Sequence, residues 1–490
     1  MSTSPAPIAD AKLNRRVLGI TIGAALGGFL FGFDSSVING AVDSISSDFD
    51  LGDSLTGFVV ASALLGCAVG AWFAGGIANR YGRIRVMVIS AILFLASAVG
   101  SGLAFAVWDL MLWRIVGGLA IGAASVIAPA YIAEVAPAKF RGRLGSLQQM
   151  AIVLGIFAAL LSDQVLAEVA GGADEVLWFG LEAWRWMFMV CVIPALVYGL
   201  AALRLPESPR YLVFRHRKEE AAAVLRDFSG EQDVDHRIDE IERSIGHDEN
   251  QSVRDLRGNR LGLMPIVWIG ILLSVFQQFV GINVIFYYST SLWQSVGFEE
   301  SQAFLTSTIT SITNIVFTIV AIIFVDRIGR RLLLLIGSSG MFLSLLAMAI
   351  AFSTATVDAD GNASLDGVWG GVALAGANLF TAFFAATWGP VVWVLLGEIF
   401  PNRIRAVALA VAAAAQWLAN WTITMTFPIF AHIGLTFAYG FYAAMALLSL
   451  FFVIFKVPET KGMELEDMDG VEIHRGKFVK TEDGHKRVID

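Results

Sequence analysis

The sequence is poor in charge and in cysteine, and it lacks motifs that bind nucleotides or metals. Only 16% of its 490 residues are charged, whereas soluble domains carry about 25%. Both cysteines, Cys67 and Cys191, fall in apolar stretches, which predicts small buried side chains rather than a disulfide or a metal pair. No phosphate loop of the form G-x-x-x-x-G-K-S/T and no cluster of metal ligands occurs. These absences argue against a soluble domain and against ATP-driven transport by this chain alone, and no cofactor is expected.

Apolar residues, by contrast, are abundant. They make up 56% of the chain, whose mean hydropathy is +0.69. A helix that crosses a membrane needs about 20 apolar residues, so the sequence predicts twelve spans, of which the longer ones tilt or break. The spans are predicted near residues 17–41, 55–78, 86–106, 110–135, 144–166, 185–204, 264–291, 303–325, 332–353, 369–396, 404–430 and 434–456.

The positive charges indicate the orientation of these spans. Of the 34 lysines and arginines, only Arg114 and Arg185 fall outside the two termini and the loops that follow even-numbered spans. Because positive loops stay in the cytoplasm, both termini are predicted to be cytoplasmic. Arg185 begins the sixth span and can reach the surface, whereas Arg114 lies within the fourth.

Three motifs occur twice, in the same order. ANRYGRIR (78–85) resembles VDRIGRRL (325–332), EVAPAKFRGRLGSLQQ (134–149) resembles EIFPNRIRAVALAVAAAAQ (398–416), and PESPR (206–210) resembles PETKG (458–462). The chain is therefore predicted to be an all-α membrane protein with two six-helix halves in parallel repeat. The predicted divisions are a cytoplasmic N-terminus (1–16), a first bundle (17–204), a cytoplasmic helical linker (205–263), a second bundle (264–456) and a cytoplasmic tail (457–490).

Two parallel six-helix repeats are typical of a secondary transporter that works by alternating access, with its site near the membrane midplane. Polar residues within spans are costly and usually functional. Amides bind hydroxyl groups at fixed angles, and an indole covers an apolar C–H face, so a neutral ligand such as a sugar is favoured. An amide in a membrane can equally serve only to join helices. Binding is favoured at Gln277, Gln278 and Asn283, where Gly281 lets the span open, and at Trp388, where Pro390 interrupts the helix.

The motifs together resemble those of a known family. In chain order they are FGFDSSVING, RIVGG, YIAEVAP with FRGRLGS, PESPRYL, QQFVGINVIFYY, VDRIGRR, TWGPVVWVLLGEIFPNRIR, AAAAQWLANW and PETKG. Over residues 17–462 the chain resembles the sugar porter family of the major facilitator superfamily, especially its bacterial proton-coupled xylose and glucose symporters. The resemblance implies a major facilitator fold and a monomer in the plasma or inner membrane. It implies a sugar, a proton and the lipid bilayer as partners, and no nucleic acid.

The resemblance also implies roles for individual residues. The positions that match sugar-contacting residues, with three aromatic neighbours, are Phe31, Gln149, Gln277, Gln278, Asn283, Tyr287, Asn314, Trp388, Gln416, Trp417 and Asn420. The positions that match a gate closing the cytoplasmic side are Arg83, Glu134, Arg143, Asp326, Arg330, Glu398 and Arg405. The chain departs from the family pattern at Asn79, where an acidic residue is usual in the first half.

Asp34 and Arg114 match the coupling pair of the proton-coupled members. A nearby guanidinium stabilises a buried carboxylate in its charged form, and without that partner burial favours the protonated form. If the pair approaches and separates during transport, Asp34 takes up a proton outside and releases it inside. The pair could instead be a static tie between the first and fourth spans.

Three functions therefore stay open. A sugar/proton symporter and an uncoupled sugar facilitator share the same predicted site, and only the first moves protons with sugar. Cys191 stands where some symporters have an additional acid. A sugar sensor is disfavoured because the tail is short, and an enzyme is disfavoured because no nucleophile, metal site or cofactor arrangement is evident.

Overall fold

Twelve segments of the structure are long and apolar enough to cross a membrane, as the sequence predicts. The computed structural model describes residues 15–135, 141–229, 233–248, 253–260, 262–357, 363–365, 367–401, 404–460, 471–474, 477–482 and 485–489. Within these residues the spans are Val17–Gly40, Asp53–Tyr81, Arg83–Gly102, Val107–Val135, Ser146–Ala170, Ala183–Ala202, Pro265–Tyr287, Glu300–Val325, Arg330–Ser353, Gly367–Ile399, Val407–Ile433 and Leu435–Lys456. The all-α fold class is confirmed for the membrane portion.

The first half contains eight helices and a short hairpin on the loop before the sixth span. The helices are α1 (Arg15–Ser36), α2 (Val42–Asp48), α3 (Asp53–Tyr81), α4 (Arg83–Gly102), α5 (Val107–Val135), α6 (Arg141–Ala170), α7 (Ala183–Val190) and α8 (Val192–Ala202). The hairpin pairs β1 (Val176–Trp178) with β2 (Leu181–Glu182), and a 3-10 turn (Val37–Gly40) extends α1.

The second half repeats this arrangement with more breaks in its helices. Its helices are α12 (Pro265–Phe279), α13 (Ile282–Tyr287), α14 (Ser289–Gln294), α15 (Glu300–Ile328), α16 (Arg330–Ser353), α17 (Gly367–Ala386), α18 (Trp388–Ile399), α19 (Arg405–Ile433) and α20 (Leu435–Lys456). A hairpin of β4 (Thr356–Val357) and β5 (Ala363–Ser364) follows the ninth span.

The linker between the halves is mainly helical, as predicted. It consists of α9 (Pro209–Phe214), α10 (Lys218–Val224), a π-helical turn (Leu225–Ser229), α11 (Val234–Asp248), a 3-10 turn (Val253–Leu256) and β3 (Arg257–Arg260). It touches α5 in the first half and α19 in the second. Its helices pack on a small apolar cluster of their own, which includes Leu212, Leu225 and Ile238.

The described part of the tail forms three strands, which the sequence analysis does not predict. β6 (Val471–His474), β7 (Lys477–Glu482) and β8 (His485–Ile489) form an antiparallel sheet in that order. Apolar and charged residues partly alternate in these stretches, for example in VEIH, and such alternation suits a strand.

Two spans are broken where the sequence predicts. Between α12 and α13, Gly281 has a φ of +86°, a left-handed conformation that glycine adopts at little cost. A Cβ atom there would also lie 2.9 Å from the ring of Tyr442. Between α17 and α18, Thr387 leaves helical geometry with φ −134° and ψ −85°. Pro390 follows in the first turn of α18, where its missing N–H is tolerated. Both breaks face the interior, which frees backbone carbonyls and side chains there.

Glycines let the spans within the first half approach at backbone distance. A Cβ atom on Gly118 would lie 1.9 Å from the carbonyl oxygen of Ala63, and one on Gly155 would lie 2.0 Å from that of Phe29. The second and fourth spans, and the first and fifth, therefore cross in direct contact, as small residues allow in membranes. Asp34 and Arg114 are buried within this closely packed half.

Polar contacts join the two halves on one side of the membrane. We call the side that carries the linker the linker side, and the other the opposite side. On the opposite side, the Asn39 amide donates to the Thr290 hydroxyl at 3.0 Å and accepts from the Thr290 N–H at 3.1 Å. Thr308 donates to Gln164 at 2.9 Å, and His432 lies 3.2 Å from Asp53. The opposite side is therefore closed.

Candidate functional site

The two helix breaks are joined by a chain of amide hydrogen bonds. The Gln277 side-chain N–H groups donate to the carbonyl oxygens of Trp388 at 2.9 Å and Gly389 at 3.2 Å. The Gln278 N–H donates to Gln277 Oε1 at 3.4 Å, and the Asn283 N–H donates to Gln278 Oε1 at 2.5 Å. The broken seventh and tenth spans are thus held together by side chains that the sequence singled out.

The hydrogen bonds of these three amides show which of their donors and acceptors are already occupied. A side-chain amide offers two N–H donors and one oxygen acceptor. Both donors of Gln277 are used on backbone carbonyls, so Gln277 fixes the break. Gln278 keeps one N–H, and Asn283 keeps one N–H and its oxygen. Asn283 is also half-buried rather than buried. These free groups can bind the hydroxyl groups of a small ligand.

Trp388 has a different environment from the one the sequence suggested. Its side chain is fully buried, and its indole N–H donates to the Leu334 carbonyl at 3.1 Å and to the Ser338 hydroxyl at 3.0 Å. The N–H is therefore occupied within the second half. Only the ring itself remains for contact with a ligand, and in this structure the ring is packed.

Aromatic side chains link the two halves at the middle of the membrane. The rings of Phe31 and Trp417 lie 5.7 Å apart between centroids. The Tyr287 hydroxyl faces both Asn420 and Ser35. Because Ser35 adjoins Asp34 in the chain, Tyr287 connects the amide-lined region of the second half with the charged pair of the first.

Three candidate residues are not joined to this network. The side chains of Gln149, Asn314 and Gln416 make no hydrogen bond to any residue that the structure describes. Asn314 is buried, whereas Gln149 and Gln416 are half-buried. Amides without a partner carry spare donors and acceptors, which a polar ligand would satisfy. Their roles stay predictions.

Asp34 and Arg114 form a buried pair in the first half. They are 2% and 1% exposed, and Arg114 Nη1 lies 3.4 Å from Asp34 Oδ2. The same nitrogen donates to the Asp34 carbonyl oxygen at 3.0 Å, while Arg114 Nε has no hydrogen-bond partner in the described part of the chain. The contact is thus single and long rather than the bidentate pair that binds an arginine tightly. Such a pair can separate without first losing a strong interaction.

The surroundings of the pair are apolar or neutral. The Phe188 ring lies 5.5 Å from the Arg114 guanidinium carbon. Cys67 and Cys191 are fully buried, and both are close enough to sense the charges of Asp34 and Arg114. Their burial agrees with the sequence prediction. Asp34 is therefore the carboxylate that balances Arg114 here.

On the linker side, the repeated motifs build the same cluster twice. Arg83 binds Glu134 with two hydrogen bonds of 3.0 and 2.9 Å, and Arg330 binds Glu398 with two of 3.1 and 2.8 Å. Ser208 donates to Glu134. Thr460 donates to Glu398 at 2.6 Å. Each of these pairs lies within one half.

Two further carboxylates complete these clusters, and the sequence reasoning missed them. Glu207 accepts the backbone N–H of Arg83 at 3.0 Å, and Glu459 accepts the backbone N–H groups of Arg330 and Arg331 at 3.0 and 3.1 Å. A carboxylate satisfies the free N–H groups that begin a helix. The recurrence of Pro-Glu-Ser and Pro-Glu-Thr in the sequence was the signal that could have identified them.

The remaining predicted gate residues are less defined. Arg405 donates to the Phe400 carbonyl at 3.2 and 3.1 Å. The side chains of Arg143 and Asp326 lie outside the described part of the structure. Asn79 is exposed, and the Arg83–Glu134 pair forms without an acid at that position.

The helix-capping role predicts matched losses of stability in the two halves. We expect Glu207→Gln and Glu459→Gln each to lose about 1 kcal/mol, because the charge that caps the third or ninth span is removed. Melting temperatures of the purified variants should fall by roughly 1–3 °C. Glu219→Gln is the control, since Glu219 is exposed and has no hydrogen-bond partner among the described residues. A Glu207→Gln protein as stable as this control would contradict the capping role.

Comparisons with known proteins agree with this geometry. A family model described as sugar (and other) transporter matches residues 20–471. A glucose transport protein of Synechocystis is 54% identical over 96% of this chain and 100% of the relative. A D-xylose-proton symporter of Escherichia coli is 38% identical over 93% of this chain and 95% of the relative.

Solved structures show the same arrangement of spans. The xylose transporter XylE from E. coli, in a partially occluded inward open conformation, superposes with a TM-score of 0.79 at 37% identity and covers 92% of this chain and 100% of its own. XylE bound to 6-bromo-6-deoxy-D-glucose superposes with a TM-score of 0.77 at 38% identity, over 94% of this chain and 99% of its own.

Proposed function

Since this chain belongs to the sugar (and other) transporter family, we propose that it imports a monosaccharide together with a proton by alternating access. The observation that carries the proposal is that the Asp34–Arg114 pair adjoins the proposed sugar-binding region. Ser35 follows Asp34 in the chain, and Tyr287 of that region faces Ser35. A change at the sugar can thereby reach the proton-binding carboxylate.

The sugar-binding region is proposed to lie between the two halves at mid-membrane. Gln278 and Asn283 supply free donors and an acceptor, while Gln277 holds the broken helices in position. Phe31, Tyr287, Trp417 and Asn420 supply aromatic faces and a further amide from both halves. Gln149, Asn314, Gln416 and the ring of Trp388 complete the proposed contacts.

A pentose or hexose such as xylose or glucose is the proposed substrate. Amides and aromatic rings without a net charge suit neutral hydroxyl groups. A relative at 54% identity is called a glucose transport protein, and one at 38% identity a D-xylose-proton symporter. Xylose and glucose differ by one hydroxymethyl group, and pocket contacts of that size change selectivity by about 10–200-fold.

The coupling step follows from the weak contact between Arg114 and Asp34. When the site opens outward, the Asp34 carboxylate binds a proton and its negative charge disappears. Arg114 then loses its counter-ion and keeps only the hydrogen bond to the Asp34 carbonyl. With sugar bound, the halves rock, Asp34 regains Arg114 as a partner, and the proton leaves to the inside. One proton and one sugar cross together.

The gate residues are proposed to hold the alternative state. The opposite side is closed in this structure, and the pairs Arg83–Glu134 and Arg330–Glu398 lie within their own halves. When the opposite side opens, the linker-side ends approach one another. Arg143, Asp326 and Arg405 are then proposed to join these pairs in a network across the halves. A network that forms in one state only can bias the equilibrium between states.

The linker side is proposed to face the cytoplasm, with both termini on that side and the protein as a monomer in the cell membrane. The arginines and lysines of the linker and of the loops after even-numbered spans support this orientation. Import of sugar then means movement from the opposite side to the linker side.

An uncoupled facilitator is the second candidate. The observation that favours it is Cys191, which is fully buried near the pair, so that this position of the sixth span supplies no second acid. In that case the pair would be a static tie between the first and fourth spans.

Sugar-dependent proton movement decides between the two. We expect xylose or glucose added to proteoliposomes of the purified protein, with no other gradient, to make the external medium more alkaline. The physical reason is that each imported sugar carries one proton into the vesicle. A panel of labelled sugars, measured with and without a protonophore, identifies the substrate. Sugar uptake with an unchanged external pH would support the facilitator instead.

A further inference from the structure

A second carboxyl group is buried in the first half, and the mechanism above does not use it. Asp163 lies in the fifth span and is fully buried. The backbone N–H of Gly40 faces the carboxyl group without forming a hydrogen bond. Neither carboxyl oxygen has a hydrogen-bond partner among the residues that the structure describes. An ionisable side chain in the interior of a transporter usually has a function.

Asp163 packs against the part of the first span that closes the opposite side. A Cβ atom on Gly40 would lie 2.9 Å from Asp163 Cβ and 2.8 Å from the sulfur of Met187. Gly40 therefore lets the Asp163 side chain sit directly against the 3-10 turn. The preceding residue in that turn, Asn39, makes the paired hydrogen bonds with Thr290 that join the halves.

A second contact between the halves is also adjacent to Asp163. The next residue, Gln164, accepts a hydrogen bond from Thr308 in the eighth span at 2.9 Å. Asp163 thus lies beside two of the interactions that must break when the opposite side opens. When these hydrogen bonds break, water can reach Asn39 and Gln164, the residues next to this carboxyl group, and closure removes that water.

Other charged groups do not neutralise Asp163. None makes a hydrogen bond or an ion pair with it in the described part of the chain. Arg185, the cation at this end, is bound to Glu182 at 2.6 Å and lies 3.9 Å from Asp48. The ionisable side chains described on the helices packed against the fifth span, and on that span itself, are Asp34, Asp109, Arg114, Tyr131, Glu134, Glu168, Arg185, Glu300 and Arg327.

From this placement we propose that Asp163 is a proton-binding site that must be filled before the opposite side can close. An ionised carboxylate without partner or water is strongly disfavoured, whereas a neutral carboxylic acid is tolerated there. The proton enters from the opposite side while that side is open and leaves by the same route. The inference rests on alternating access, which is part of the proposed function, and it does not require coupling at Asp34.

The sign of the pH effect follows from this difference between states. The closed state binds the Asp163 proton more tightly than the open state. Raising the pH therefore favours the open state, and lowering it favours closure. In the pH range where only the closed state holds the proton, the ratio of closed to open molecules changes by up to about tenfold per pH unit.

The test measures closure directly rather than transport. Asp53 and His432 are exposed residues that meet across the halves on the opposite side, 3.2 Å apart. Spin labels on Asp53→Cys and His432→Cys report closure by double electron–electron resonance in nanodiscs between about pH 5 and 9. The native cysteines, Cys67 and Cys191, are buried and leave these labels specific. Loss of the exposed Asp53–His432 pair itself has little effect.

We expect the closed population of the labelled parent to fall as the pH rises. The Asp163→Asn protein should stay closed across this pH range. In Asp163→Asn and in Asp163→Ala, the part of the pH dependence of the closed population that comes from Asp163 should be lost. Asp109→Asn is the matched control, because this buried acid accepts the Phe105 N–H and should keep the slope. An Asp163→Asn slope equal to that of the parent, or a parent without a slope, would overturn the proposal. Failure of sugar-driven proton movement, by contrast, would affect only the coupling at Asp34.

Discussion

Replacing Asp34 by asparagine is expected to abolish the accumulation of sugar while leaving its downhill movement. In proteoliposomes with an inward proton gradient of one pH unit, the parent should concentrate sugar up to about tenfold, since one unit is worth about 1.4 kcal/mol. Asp34→Asn cannot bind and release the proton, so the internal and external concentrations should become equal. Exchange of sugar down its gradient needs no proton movement and persists.

The control for this prediction is another buried acid of the same half. Asp109→Asn removes a carboxylate that caps the start of the fourth span and faces no arginine in the described structure. It should accumulate sugar as the parent does. An Asp34→Asn protein that still moved sugar uphill as well as the parent would eliminate Asp34 as the coupling group and favour the static tie.

The second large effect is expected at Gln278. We predict that Gln278→Leu weakens sugar binding by 10- to 100-fold, about 1.4–2.8 kcal/mol, because a sugar hydroxyl loses its donor and Asn283 loses its acceptor. Gln277→Leu should weaken binding through displacement of the broken helices instead. Titration calorimetry with xylose and glucose measures both.

An amide that only joins helices serves as the control here. Asn378 in the tenth span accepts from Thr313 in the eighth span at 3.0 Å and donates to the Leu374 carbonyl of its own span at 3.0 Å. Asn378→Leu should lower stability and leave sugar affinity unchanged. If Gln278→Leu behaved in the same way as Asn378→Leu, Gln278 would also be an amide that only joins helices.

Duplication explains why the linker-side clusters could be anticipated in part. Arg83 with Glu134 and Arg330 with Glu398 occupy equivalent places in the repeated motifs, and the structure forms both pairs. Glu207 and Glu459 belong to the same repetition, yet their partners are backbone N–H groups. Nearly every residue type has a backbone N–H, so the sequence gives no sign of which N–H groups these carboxylates bind. The repeated motif was therefore visible in the sequence, but the helix cap was not.

Asp163 illustrates a different limit. It stands in a polar pair, Asp163–Gln164, near the end of a predicted span, where a charged residue could equally face water. In the folded protein Gly40 and Met187 pack closely against it and the side chain is fully buried. The burial of a side chain near a span end depends on neighbours from other spans.

The sequence by itself determined the twelve spans, the two repeated halves and the places where the seventh and tenth spans break. These properties are local, because the length of an apolar run, a glycine or a proline acts within a few residues of the chain. Only the tertiary structure decided that the Gln277 side chain donates to the carbonyl oxygens of Trp388 and Gly389. It also decided that the Trp388 indole N–H is already hydrogen-bonded, and that Arg114 contacts the Asp34 carboxylate through a single long contact. Those partners lie between 50 and 112 positions apart in the chain. The folded packing alone sets which donors remain free for a sugar.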